Sequence, residues 1–128
     1  MSNADVIRAH YDAGSRGDIE GMLAPLADDC RWVEMAGFPY SGTYVGPQGV
    51  LNGVFARLGA DWKGYRVDVD EIVDGGDTVV AIGTYSGTFR ATGKEMTARV
   101  VHVWKLRDGR VVGFEQFTDT LKVAEATE

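Results

Sequence analysis

The apolar residues change their period at Tyr65. Before it they recur at helical spacing, and after it they alternate along extended runs separated by short turns. A period of 3.6 buries one face of a helix and a period of two buries one face of a strand, so this switch divides the chain into a helical half and a sheet half. Val67, Val69 and Ile72 begin the first alternating run, and Asp74-Gly75-Gly76-Asp77 turns it. Thr78 to Arg90 reads as a long strand, with Gly83 and Gly87 marking where a bulge fits. Ala91 to Lys94 turns the chain again and Glu95 to Leu106 is the next strand. Asp108-Gly109 is a two-residue hairpin signal, and Arg110 to Thr120 closes the sheet.

In the first half, Asn3 is the expected cap of a helix running to about Arg16, with Asp5 in its first turn. Val6, Ile7, His10, Tyr11 and Gly14 share one face of it. Gly17-Asp18 breaks that helix and begins a short one through Met22 and Leu23, which Pro25 ends. Cys30 to Met35 is a short strand, and Ala36 to Gly46 is a loop or a pair of irregular strands. Gly46-Pro47 starts a third helix carrying Val50, Leu51, Val54, Phe55 and Leu58. Residues after about Val123 read as a frayed tail.

Helices followed by a long antiparallel meander predict a single α+β domain over residues 1–128. Its helices are expected to cover one face of a curved antiparallel sheet. Val101, Val103, Val112 and Phe114 are expected to crowd the other face of the sheet, which predicts a homodimer.

Charge and cysteine usage narrow the function classes. A formal charge of −6, with Lys and Arg spread singly, argues against nucleic acid as a partner. No apolar run is long enough for a bilayer, and Asp5 and Arg8 interrupt the first apolar stretch as no secretory signal would. A cytoplasmic location is the expectation. Cys30 is the only cysteine, so an internal disulfide is excluded. His10 and His102 lack metal-ligand spacing and no phosphate-cradling glycine loop occurs, so neither a metal nor another cofactor is expected.

The run Ala13-Gly14-Ser15-Arg16-Gly17-Asp18 and the later Leu26-Ala27-Asp28-Asp29-Cys30-Arg31-Trp32 resemble the opening of the nuclear-transport-factor-2-like superfamily. Tyr40 to Gly46, His102 to Gly109 and Phe114 to Thr120 resemble its SnoaL-like branch. This resemblance spans nearly the whole chain and implies a cone-shaped, curved antiparallel sheet with N-terminal helices enclosing one small-molecule pocket, a fold that hosts isomerases, cyclases, hydrolases and binding domains alike. Related ketosteroid isomerases use a first-strand carboxylate to remove a proton beside a carbonyl, and Glu34 falls on that position. Their oxyanion tyrosine falls on His10, with Tyr11 adjacent, and their protonated aspartate falls on His102. Both donors have changed type, which argues against steroid isomerisation. In polyketide-cyclase-like members a histidine and an aspartate on the last strands do acid–base work; His102 and Asp119 match them. The Asp-Arg-Asp constellation of epoxide-hydrolase-like members cannot be assembled from Arg99 and Asp119.

The hairpin yields a dyad independently of family. With Arg107 paired to Arg110, an unbroken register sets His102 opposite Glu115. Alternation then puts His102, Trp104, Glu115, Phe117 and Asp119 on one face. Asp119 lies about 13 Å farther along the strand than Glu115, so Glu115 is the better partner for His102.

The expectation is a cofactor-independent acid–base enzyme acting on a small hydrophobic carbonyl or polyketide-like compound, of isomerase, cyclase or hydrolase type. Glu34, His102, Asp119 and Glu115 are its candidate catalytic residues. His10, Tyr11, Trp32, Tyr40, Phe55, Trp104 and Phe117 are the candidate substrate wall, since aromatic walls suit a flat apolar ligand. A glutamate enclosed by Trp32 and other aromatics has its pKa raised, as a general base needs. The same residues also suit a non-catalytic ligand-binding domain, or a dimerisation or accessory domain.

Overall fold

Ser2, not Asn3, caps the first helix. Its hydroxyl accepts from the Asp5 amide at 3.1 Å and the Asp5 carboxylate accepts from the Ser2 amide at 3.2 Å, a reciprocal cap. Asn3 is instead the first helical residue, and its side chain donates to the Gly76 carbonyl at 2.9 Å. In the computed structural model, which describes residues 1–128, α1 (Asn3–Ser15) buries Ala4, Ile7, His10 and Ala13 along one side. Asp18 caps the short α2 (Ile19–Leu23) by accepting from the Gly21 amide. The third helical region is α3 (Gly46–Val50), a π-helical turn (Leu51–Phe55) and α4 (Ala56–Asp61) in succession, with Val50 and Val54 buried. No helix is long and apolar enough to cross a membrane.

Six strands form one curved sheet: β1 (Leu26–Glu34), β2 (Gly42–Val45), β3 (Trp62–Gly75), β4 (Thr78–Phe89), β5 (Glu95–Arg107) and β6 (Arg110–Thr118). Their order is β2-β1-β6-β5-β4-β3. Four pairings are antiparallel, and β1 returns beside β6 in parallel. The bulges expected on β4 lie on β3, across from Gly83 and Gly87. A Cβ on Gly83 would come within 2.3 Å of the Asp68 carbonyl oxygen, so the glycine makes room for the bulged strand.

The β5–β6 hairpin departs from the expected register. Arg107 pairs with Arg110, but Lys105 faces Gly113 and Leu106 faces Val111, leaving Val112 without a partner. Beyond this bulge His102 faces Gln116, and Glu115 faces Val103. A slip of one residue exchanges the two faces of a strand. Phe114 and Gln116 therefore point inward, whereas Glu115 and Phe117 are exposed on the outer face. The outer apolar patch is accordingly Val80, Ile82, Val101, Val103 and Phe117, without Phe114.

The tail is a helix, α5 (Thr120–Thr127). Asp119 caps it, its carboxylate accepting from the Lys122 amide at 3.2 Å. Val123 and Ala126 are buried against Phe38, Tyr40, Trp62, Met96 and Val100. A second cluster, built on Ile7, Trp32, Val54, Trp104 and Phe114, packs between the sheet and the helices of the first half. The two clusters share β4 and β5: Val79, Trp104 and Leu106 belong to the second, and Tyr85, Met96, Ala98 and Val100 to the one that holds Val123.

Candidate active site

Buried polar residues stand where the clusters meet. Alternation sets Glu34 two residues beyond Trp32 on β1, and Gln116 two beyond Phe114 on β6. His102 falls on β5 between inward-facing Val100 and Trp104, and Tyr85 faces inward from β4. Glu34, Tyr85, His102 and Gln116 are each buried.

Glu34 is 4% exposed. Burial disfavours its charged form and raises its pKa to about 8, an effect that the Trp32 indole opposes in part. The indole does not complete a hydrogen bond: Trp32 Nε1 and Glu34 Oε2 are both buried without a partner. Buried acceptors are ordinarily satisfied, so an orphaned carboxyl oxygen is a candidate contact for a ligand.

His102 is hydrogen-bonded on both nitrogens by tyrosines. Tyr11 meets Nδ1 at 2.6 Å and Tyr85 meets Nε2 at 2.6 Å. Trp104 Nε1 donates to the Tyr11 hydroxyl at 2.9 Å, and Gln116 Nε2 donates to the Tyr85 hydroxyl at 2.9 Å. Burial, reinforced by nearby His10, lowers the His102 pKa to about 3. The imidazole is therefore neutral across the physiological range. Burial also pushes the Tyr65 and Tyr85 phenols well up, and the Glu34 carboxylate adds to both shifts.

This arrangement can accept a proton at Glu34 and hydrogen-bond an oxygen from the tyrosine–histidine chain. His102 itself is not free to donate directly, because both of its nitrogens are taken. Glu115 and Phe117 cannot join it: the Val112 bulge turns them to the outer face. Asp119 is exposed and occupied as the cap of α5. His10 accompanies the site from behind, its Nδ1–H donating to the Met22 carbonyl at 3.0 Å and its ring meeting Trp104 at 4.7 Å; burial lowers its pKa to about 4. Trp32 stacks on Phe114 at 3.7 Å and meets Phe55 edge-on at 5.6 Å, so these rings and Trp104 wall one side. Tyr40 lies in the α5 cluster, where its hydroxyl donates to Asp61 at 2.7 Å and accepts from Trp62 Nε1 at 3.1 Å.

Tyr65, Tyr85 and Gln116 were not expected. Their signal in the sequence is the small inward set Ala81, Gly83 and Ala98, which leaves space around inward polar side chains: Ala81 pairs with His102 and Ala98 with Tyr85. A cleft of about 450 Å³ lies apart from Glu34, between Arg8, Tyr11, Asp12 and Ser15 of α1 and residues 67–72 of β3. Tyr11 is the residue that this cleft shares with the His102 chain. No group of three or more His, Cys, Asp or Glu side chains converges to hold a metal ion.

The SnoaL-like domain family matches residues 7–114. An NTF2-like protein from Burkholderia thailandensis is 46% identical in sequence, with a TM-score of 0.98 over 100% of this chain and 98% of that one. TerC, crystallised with polyporic acid, is 31% identical, with a TM-score of 0.88 over 97% of this chain and 96% of that one. Patulin synthesis protein F of Aspergillus clavatus is 30% identical over 121 residues, which are 82% of this chain. The chain spans 59% of that relative's length.

Proposed function

The chain belongs to the SnoaL-like family, and from that membership we propose that it is an acid–base enzyme acting on a small hydrophobic carbonyl or polyketide-like compound. The observation that carries this reading is Glu34, a carboxyl buried among aromatics with one oxygen unpartnered and its pKa raised to about 8. A carboxylate that holds protons this tightly is a strong base for a C–H beside a carbonyl. The hydroxyls around His102 supply hydrogen bonds for the oxygen on which charge then develops. The names of two relatives support the substrate class, patulin synthesis protein F and TerC with its polyporic acid.

The test is deuterium exchange from D2O into the α position of 2-tetralone, a flat apolar ketone, with polyporic acid as a competing ligand. Glu34→Gln is expected to slow exchange by at least about 100-fold. Equal exchange by the two proteins would refute Glu34 as the base.

A non-catalytic binding domain is the second reading, favoured by the position of the 450 Å³ cleft away from Glu34. It predicts polyporic acid binding with no exchange. Either reading includes a homodimer in which a second copy covers Val80, Ile82, Val101, Val103 and Phe117, since an apolar patch of this kind favours self-association. Sedimentation of wild type and Val103→Glu tests it.

A further inference from the structure

Hydrogen-bond counting across His102 goes beyond the acid–base reading on which it rests. A neutral imidazole has one N–H and one lone pair, so it donates to one tyrosine and accepts from the other. Each tyrosine oxygen already accepts from a second donor, Trp104 at Tyr11 and Gln116 at Tyr85. The tyrosine that also accepts from His102 keeps its own O–H uncommitted. Only one of the two does so at a time, and the imidazole tautomer decides which. With the proton on Nδ1 the uncommitted O–H belongs to Tyr11, at the α1–β3 cleft. With the proton on Nε2 it belongs to Tyr85, whose ring packs on Tyr65 at 5.3 Å and which lies within the field of Glu34.

We propose that Tyr85 is the proton donor to the substrate oxygen and that His102 is a tautomer relay joining Tyr85 to Tyr11 and the cleft. As Glu34 takes a proton from the carbon beside the carbonyl, the Tyr85 O–H bond breaks and its proton passes to the carbonyl oxygen. The Nε2 proton of His102 moves to Tyr85, the Tyr11 hydroxyl proton moves to Nδ1, and a cleft water reprotonates Tyr11, leaving as hydroxide. The return step reverses every transfer as the substrate oxygen gives its proton back. Each passage leaves His102 in the opposite tautomer, so the next must run the other way. Such a relay lends a proton and recovers it. It suits keto–enol isomerisation, in which one oxygen gains and then loses a proton, over reactions that consume a proton.

The test uses the full chain labelled with 15N-histidine and reads long-range proton–nitrogen correlations at neutral pH. Tyr11→Phe is expected to place the His102 proton on Nε2, and Tyr85→Phe to place it on Nδ1. The His10 signal, set by its bond to Met22, stays unchanged as a control for folding. In a Glu34→Gln background, where no carboxylate repels an anion, Tyr85→Phe is expected to weaken 4-nitrophenolate binding by at least about tenfold. The same tautomer in both tyrosine variants, or an imidazolium, would overturn the relay; equal probe binding would overturn Tyr85 as the donor. Neither readout requires turnover, so this inference stands or falls separately from the exchange assay on Glu34.

Discussion

Trp32 and Glu34 share the inner side of β1, with the indole Nε1 and the carboxyl Oε2 both buried and unpartnered. The aromatic that walls the carboxyl from water therefore does little to stabilise its charge, and the charged form carries the cost of burial.

That cost fixes how stability depends on pH. Native Glu34 keeps its proton to about pH 8, whereas the ordinary carboxyl value is 4.5. The stabilisation is complete below about pH 4.5 and is lost as pH rises through 8. Glu34→Gln is expected to remove this loss, on the order of 5 kcal/mol at the alkaline end. His10 and His102, with lowered pKa values, cost stability as pH falls below 6.5. They do so in both proteins, so the difference between wild type and variant isolates Glu34. Urea unfolding of both from about pH 5 to 9 measures it, and a difference that does not change with pH would refute the assignment.

Glu34 also sets the pH dependence of turnover. As a base, Glu34 works deprotonated, so kcat/KM for ketone exchange is expected to rise with unit slope and level off above about pH 8. His102 and His10 titrate near 3 and 4 and add no second limb at neutral pH. A bell centred near pH 6.5 would point to an imidazole as the acting group instead.

Much of this was legible in the sequence, and the gaps have physical causes. The switch of period at Tyr65 placed the helical half and the strands, and Gly83 and Gly87 marked the bulges from the partner strand. Glu34 and His102 are singled out by the family resemblance, with Tyr11 as the neighbour of His10, and the structure buries Glu34 and His102. Glu115, Phe117 and Asp119 were misplaced by Val112. A valine among strand valines has the same local pattern whether paired or bulged, so nothing nearby announces the slip. The helix α5 escaped because its buried residues, Val123 and Ala126, are too few to display a period.

That short helix is structural, as its burial requires. Val123 is fully buried against the cluster that holds Phe38, Tyr40 and Trp62. Val123→Ala is expected to cost about 2 kcal/mol of unfolding free energy by leaving a cavity. Exposed Leu121 is the control, and Leu121→Ala is expected to change stability by less than about 0.5 kcal/mol. Equal effects of the two substitutions would mean that α5 does not dock.

The Val112 bulge decides which side chains reach the site, and it can be removed. Deleting Val112 while retaining the Arg107–Arg110 turn closes the bulge: Lys105 then pairs with Gly113 directly after Leu106 with Val111, and His102 still faces Gln116. Phe114 keeps its stack on Trp32, and Tyr85 keeps its Gln116 donor. The deletion is expected to fold with the native pairing of His102 with Gln116, because every residue beyond the bulge stays in its register. Cross-strand amide contacts between β5 and β6 measure it. Contacts that set Glu115 opposite His102 would show that the Arg107–Arg110 turn does not hold the register.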